Sequence, residues 1–444
     1  SRDAIFASHA RQGTTGAAVF PESERRVTHS DSNIAVSRHA GSAHDAGFPL
    51  YALVLALTVG HTVASIALMV LPAVAPAVAR DYEISAALIG YQLSIVGAGQ
   101  LATLLLFGNV SRKLGACRTN QIGHGMVAIG MLLMLLPWPV FLLPGSLGIG
   151  LGFGLLGPSL SALLTRFAPP GQRNLVFSIQ QTSVPLGGVL AALTAPFIAV
   201  TFGWRWMLVG NACLLFLAIA MLQRGRPRWD DDRVPAARAI ATSPFAGLVA
   251  NWQDRRLRLL SVTGGALCWA QFCVAGYTVV ACVEALGMSL IVAGTVLVVE
   301  QLCNAVGRMV AGWLADWLNS AARVLAWLGW IMLATCVALI WLAPSWHTLL
   351  VYLVFSLLGI TSGAWPGILM AEVGHLAPRG QVSAVISGML IYVNFGKMLG
   401  TTMFAASYAL TGSYGIAFGL VGVPAMIAIY CLTAVQRELA RYPG

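Results

Sequence analysis

Hydrophobic and polar positions separate along this chain into a polar beginning and a long series of apolar blocks. Residues 1 to about 47 are rich in Ser, Ala, His and Arg without apolar periodicity, which predicts a disordered tail. No apolar core of signal-peptide type lies in it, so it is not expected to be cleaved. Twelve apolar segments follow, near 50–79, 86–109, 119–138, 140–167, 174–202, 204–222, 257–283, 289–314, 322–343, 347–376, 382–411 and 413–435. A bilayer core needs roughly 20 apolar residues per helix. The runs are too long for barrel strands, and backbone groups in lipid must be paired within the segment, so helices are predicted. Pro72, Pro76, Pro158, Pro185 and Pro366 fall inside and are read as kinks. One long polar break, "QRGRPRWDDDRVPAARAIATSPFAGLVANWQDRR", divides the segments into six plus six.

The expected fold class is therefore an all-α integral membrane protein, with twelve transmembrane helices in two pseudo-symmetric six-helix bundles. Its expected parts are a cytoplasmic tail (1–47), a first bundle (48–222), a cytoplasmic linker (223–256), a second bundle (257–436) and a short cytoplasmic tail (437–444).

Composition agrees with this reading. Only 9% of the 444 residues are charged, against about 25% in soluble domains, and mean hydropathy is +0.78. A net charge of +10 would suggest nucleic acid in a soluble protein. With the amino terminus placed in the cytoplasm, however, 23 of the 26 Lys and Arg fall on the inner side, and only Arg80 and Arg205 on the outer. That imbalance fixes orientation with both termini inside and removes the case for nucleic acid. The expected location is a bacterial inner membrane, and the expected state a monomer. The eight cysteines lie in or beside apolar runs without metal-ligand spacing, so they are read as core residues, with no disulfide framework, metal or cofactor.

The chain also repeats itself. "RFAPPGQRNLVFSIQQTSVPLGGVL" laid over "HLAPRGQVSAVISGMLIYVNFGKML" matches Ala168, Pro169, Gly171 and Gln172 with Ala377, Pro378, Gly380 and Gln381 at a constant offset, and Gly187 with Gly396. "GNVSRKLGACR" after segment two echoes "GWLADWLNSAAR" after segment eight. Parallel halves of this kind are a transporter architecture, with the site near the midplane between them. Here the residues resemble the major facilitator superfamily. "GRMVAGWLAD", from Gly307 to Asp316, is similar to its loop motif G-x-L-A-D-R-x-G-R-K. The first-half copy keeps Gly108, Lys113 and Gly115, with Arg112 at the usual aspartate position. "GWRW" (203–206) and "LAPRGQ" also fit. The resemblance covers about 50 to 435. An arginine before G-x-G in helix four, frequent in drug antiporters, is absent: "GSLGIGLG" holds Ser146 at that place.

Candidate chemistry lies deep in the segments. Lys397 is one of two lysines and sits in "NFGKMLG", roughly 20 Å along helix eleven at about 1.5 Å per residue. A lysine at the bilayer centre costs about 2.5–3.5 kcal/mol on the insertion scale, so it must face protein, water or a ligand. Ser387, Asn394, Lys397 and Thr401 form a polar stripe expected to line a central cavity. Glu300 in helix eight, at comparable depth, is the natural partner, followed by Asn304 and Arg308 on one helix face. His61 is the third deep ionisable group and the only one expected in the first half. Helix seven adds Gln271 and Tyr277.

Two readings of Lys397 stand: an ion pair with Glu300 that only joins helices, or a cation that receives an anionic substrate. On the second, Lys397, Asn394, Gln271, Asn304 and Tyr277 bind substrate, while Glu300 and His61 couple protons. Asp316, Arg308, Glu372, Gly312, Gly108, Arg112 and Lys113 form a cytoplasmic gate. The glycine run at 145–157 follows no strand and is read as helix packing. No catalytic motif is present, so no enzyme is expected. The leading expectation is a secondary transporter of a small organic anion, moved with protons. Export of drugs or metabolites is the alternative, and a sensor without flux a weaker one.

Overall fold

The computed structural model describes residues 50–169, 173–237, 239–240, 245–378 and 382–441. The tail expected at 1–47, and Gly171, Gln172, Arg379, Gly380 and Gln381, lie outside the described residues, which are all helix, turn and loop.

The first half contains α1 (Leu50–Tyr82), the pair α2 (Ala86–Ile89) and α3 (Tyr91–Leu106), and the short α4 (Val110–Leu114). It continues with α5 (Ala116–Leu133), α6 (Leu142–Phe167), the pair α7 (Arg173–Gln181) and α8 (Ser183–Thr201), and α9 (Arg205–Trp229). A linker helix, α10 (Ala246–Gln253), precedes the second half. There follow α11 (Arg255–Glu284), α12 (Leu290–Trp317), α13 (Ala321–Leu339), and the pair α14 (Thr348–Gly363) and α15 (Trp365–Leu376). The chain ends with α16 (Val382–Thr411), α17 (Tyr414–Leu420) and α18 (Gly422–Arg441). The polar break is shorter than expected at both ends, because α9 runs on to Trp229 and Ala246–Gln253 is helical.

Ten spans among the described residues are long and apolar enough to cross a membrane. Of the other two expected segments, α5 is diluted by the polar side chains Arg118, Asn120, Gln121 and His124, and α16 carries Asn394 and Lys397 within a long apolar helix. Proline explains the sharpest bend. Between Pro72 and Pro76, Val74 leaves helical geometry at φ −124°, ψ 16°.

Packing repeats between the halves at the offset of 209 residues that relates Ala168 to Ala377. A Cβ at Gly150 would fall 2.3 Å from the Val96 carbonyl oxygen, and one at Gly359, its equivalent, 2.3 Å from the Glu300 carbonyl oxygen. Gly187 presses on Ser65 and Thr62 of α1, and its equivalent Gly396 on Gly265 of α11. Gly203 and Gly412 form matching turns at φ +94° and +65°, a region glycine adopts without steric cost. Even the end clips correspond. Asp81 in the last turn of α1 accepts from Arg205 and Trp204 at the start of α9; Glu284 at the end of α11 accepts from Tyr414 at the start of α17.

The halves meet along α1 with α11, α3 with α16, and α8 with α12. Close approaches gather at the end away from the linker: Leu93 on Gly276, Ser94 bonded to Thr401, and Gly294 against Ala192 and Pro196. At the linker end, side chains at Gly157 of α6 and Gly367 of α15 would meet open space. The two halves are thus joined at the far end through these contacts.

Candidate functional site

Where α3 crosses α16, small residues let two backbones approach. A Cβ at Gly97 would lie 3.3 Å from the Met398 nitrogen and 3.4 Å from both the Asn394 carbonyl and Lys397 Cδ. One turn on, Gln100 reaches across this seam. The Lys397 ammonium donates to Gln100 Oε1 and stands 4.1 Å from the centre of the Phe272 ring, a cation–π contact. Lys397 is only 4% exposed, and no carboxylate pairs with it among the described residues. The expected Glu300 partnership is therefore corrected: the lysine is held by an amide and an aromatic face from α3 and α11. The polar stripe on α16 is also partly consumed by the seam. Thr401 shares a 2.6 Å hydrogen bond with Ser94, and Asn394 turns its amide back to the Leu390 carbonyl at 2.9 Å.

Glu300 occupies the first half's Val96 position in the matching helix crossing. It is 0% exposed, and neither carboxylate oxygen has a hydrogen-bond partner among the described residues. Its backbone packs against Gly359 of α14. On the same helix, Asn304 accepts from Arg308 Nε at 3.0 Å, and Arg308 also donates to the Gln181 carbonyl at 3.4 Å. Gln271 accepts from the Trp365 indole at 3.0 Å, which joins α11 to α15.

Tyr277 does not line a cavity. It is fully buried at the far end, stacked on Phe404 with centroids 3.9 Å apart, and donates to the Thr401 carbonyl at 3.0 Å. Its hydroxyl is already bonded within the second half and abuts Gly90 of the first.

His61 has a companion that its sequence position conceals. Its ring meets Phe153 edge-on at 5.5 Å. The ring of His124, from α5, abuts Gly60, the residue before His61, and its Nδ1–H donates to the Asn120 carbonyl, 2.9 Å away. Both histidines are buried, and His61 Nδ1 has no hydrogen-bond partner among the described residues. The first half thus holds two deep ionisable groups, not one.

At the linker end, Asp316 and Glu372 make no ion pair among the described residues, and Gly312 faces open space. Gly108, Arg112 and Lys113 are exposed beside α4. The negative charge missing at Arg112 is supplied by the linker. Asp230 accepts from the backbone N–H groups of Cys117 and Arg118 at 2.7 and 2.9 Å, capping α5. Asp231 and Asp232 pair with Arg166 at the end of α6, and Val234 N–H bonds the Arg112 carbonyl at 2.8 Å. The "DDD" run between arginines was the only sequence sign of this clip.

Comparison with known proteins follows the same lines. Residues 57–401 match the profile of the Major Facilitator Superfamily. The chain is 23% identical to the gallate transporter of Pseudomonas putida, over 81% of this chain and 86% of that one. It is 25% identical to monocarboxylate transporter 13 of Rattus norvegicus, over 77% and 78%. A crystal structure of the peptide transporter POT in complex with sulfate superposes with a TM-score of 0.69 at 16% identity, covering 88% of this chain and 95% of that one.

Proposed function

The chain belongs to the major facilitator superfamily and is a multi-pass membrane transporter rather than an enzyme; from that premise we propose that it moves a small organic carboxylate together with protons. The observation that carries this reading is the Lys397 ammonium, buried at the seam of the two halves without a carboxylate partner. A buried charge of this kind calls for a counter-charge, and a substrate carboxylate supplies it. The printed names of two relatives, a gallate and a monocarboxylate transporter, point to the same class of substrate.

Glu300 is the proposed proton carrier. An intramembrane acid without a counter-charge is a functional site by default, and Val96 at the equivalent place of the first half has no such group. His61 joins it as a second candidate, now with His124 beside it. Asn394, Asn304 and Gln271 remain proposed substrate contacts. The linker end is the proposed cytoplasmic side, where Arg308, Asp316 and Glu372 form pairs only when that end closes.

Proteoliposomes test the proposal. Beyond the passive weak-acid uptake of protein-free vesicles, labelled benzoate is expected to accumulate against its gradient when a pH gradient is imposed, and this excess to disappear with a protonophore. Uptake indifferent to the protonophore contradicts the coupling, and failure to move any carboxylate contradicts the substrate class.

A further inference from the structure

A lysine ammonium has three donors and no acceptor, and at 4% exposure Lys397 has almost no bulk water to satisfy them. Gln100 takes one donor, and the Phe272 face covers the ammonium from another side. The shape of α3 makes this possible. Gly97 leaves a slot in which the lysine stem lies, since a side chain there would meet Cδ at 3.4 Å. Gln100, three residues further on the same helix face, caps the end of that slot. Unlike the lysine, Gln100 is only half-buried, so it reaches the ammonium from the margin of accessible space.

The amide oxygen is an incomplete partner. It accepts a hydrogen bond but does not neutralise the charge, whereas a carboxylate of the same reach does both, with a shorter and stronger bond. We infer that Gln100 is the resident stand-in for the transported anion: it holds Lys397 in the empty carrier, and the substrate carboxylate displaces it. The inference rests on Lys397 being the anion receptor. It also gives binding a structural consequence. Gln100 and Lys397 belong to opposite halves, so displacement removes a bond across the seam at the moment the site is filled. Ser94 and Thr401, bonded at 2.6 Å, remain to hold the two helices together nearer the far end.

Two substitutions act oppositely on such a competitor. Gln100→Glu places a tethered carboxylate on the ammonium and fills the site permanently. Gln100→Ala removes the competitor and leaves the lysine free. Binding of benzoate, acetate and succinate is measured on the purified full chain for the wild type, both variants and Lys397→Gln, together with the unliganded melting temperature. Gln100→Glu is expected to lose at least about tenfold in acid affinity, roughly the worth of one good polar contact, and to melt at or above the wild type when empty. Gln100→Ala is expected to bind acid more tightly than the wild type, and unchanged affinity shows that Gln100 does not compete.

The outcomes separate the two ideas. If Lys397→Gln loses acid binding while Gln100→Glu keeps wild-type affinity, the receptor stands and the role of Gln100 falls. A folded Gln100→Ala that no longer binds acid shows that Gln100 contacts the ligand instead of yielding to it, which overturns the inference. If Lys397→Gln binds as the wild type does, or the wild type binds none of the three acids, the receptor reading fails and this one with it. Should Gln100→Glu not fold, Gln100→Ala still decides.

Discussion

The Tyr277 hydroxyl occupies the place that a side chain on Gly90 would need: a Cβ there falls 2.0 Å from the phenol oxygen. One residue from each half is thus fitted to the other at the far end, where the structure is closed. Overfilling a packed contact costs about 1–3 kcal/mol, so Gly90→Ala is expected to lower the thermal stability of this closed form by about that much. In a Tyr277→Ala background the same substitution should cost much less. A double-mutant cycle on melting temperatures checks this; two additive effects would show that the contact does not hold the closure.

Glu300→Gln keeps the shape of a fully buried side chain and removes its ability to ionise. Since neither oxygen is bonded among the described residues, the variant is expected to fold and to melt within about 1 kcal/mol of the wild type, or above it. Accumulation driven by a pH gradient should disappear, while exchange of labelled for unlabelled acid across the membrane persists. Gradient-driven uptake at the wild-type rate would remove Glu300 from the coupling.

Asp230 gives a pH signature outside the membrane. Burial pushes its carboxyl above the ordinary value of 3.8, although the N–H groups of Cys117 and Arg118 and the Arg226 guanidinium pull it down. Between the ordinary and the raised value the folded chain binds a proton that the unfolded chain has released, so this contribution to stability falls as pH rises through the window. Wild type should therefore lose stability relative to Asp230→Asn as pH climbs from the carboxylate range. Asp230→Ala, which lacks any capping oxygen, should be about 0.5–2 kcal/mol less stable than Asp230→Asn. Melting curves across pH measure both, and a wild-type-to-Asn difference that stays flat with pH contradicts the burial argument.

Matching glycines should fail in matching ways. Gly187→Ala meets Ser65 Cβ at 2.5 Å, and Gly396→Ala meets the Gly265 carbonyl at 2.0 Å. Each separates the first helix of its half from the fifth, and each is expected to cost about 1–3 kcal/mol. The Gly396 variant should cost more, because the backbone lies closer there, 2.0 Å to the Gly265 carbonyl oxygen against 2.7 Å to that of Thr62 at Gly187. Equal melting temperatures for the two variants would argue against that ranking.

Much of the architecture is legible before any coordinates, because lipid enforces simple rules. Spans must be long, apolar and helical, which is why the twelve segments and the "AP"…"G" repeat can be read directly. Lys397 and Glu300 stand out because charge is rare in such segments. Their partners do not stand out. Gln100 is one neutral amide in an apolar helix, and only the crossing of α3 over α16 brings it to the lysine. His124 lies near the polar beginning of the segment read at 119–138, and only the fold sets it against Gly60. Tyr277 is misplaced by sequence reasoning for the opposite reason: periodicity puts a tyrosine on a helix but does not say which end of the bundle is closed. Asp230 caps a helix more than a hundred residues before it, a long-range relation that local capping rules do not reach.

The most direct test of the anion receptor is thermal stabilisation of the purified protein by small organic acids, amines and hydrophobic cations, compared with Lys397→Gln. A ligand of the folded state raises apparent stability by about 2.7 kcal/mol at 100 times its dissociation constant. The expected result is that a carboxylic acid stabilises the wild type by this order and leaves a folded Lys397→Gln unmoved. Equal stabilisation of both proteins, or stabilisation by amines and hydrophobic cations alone, would contradict it and leave Lys397 a structural cation at the seam of the two halves.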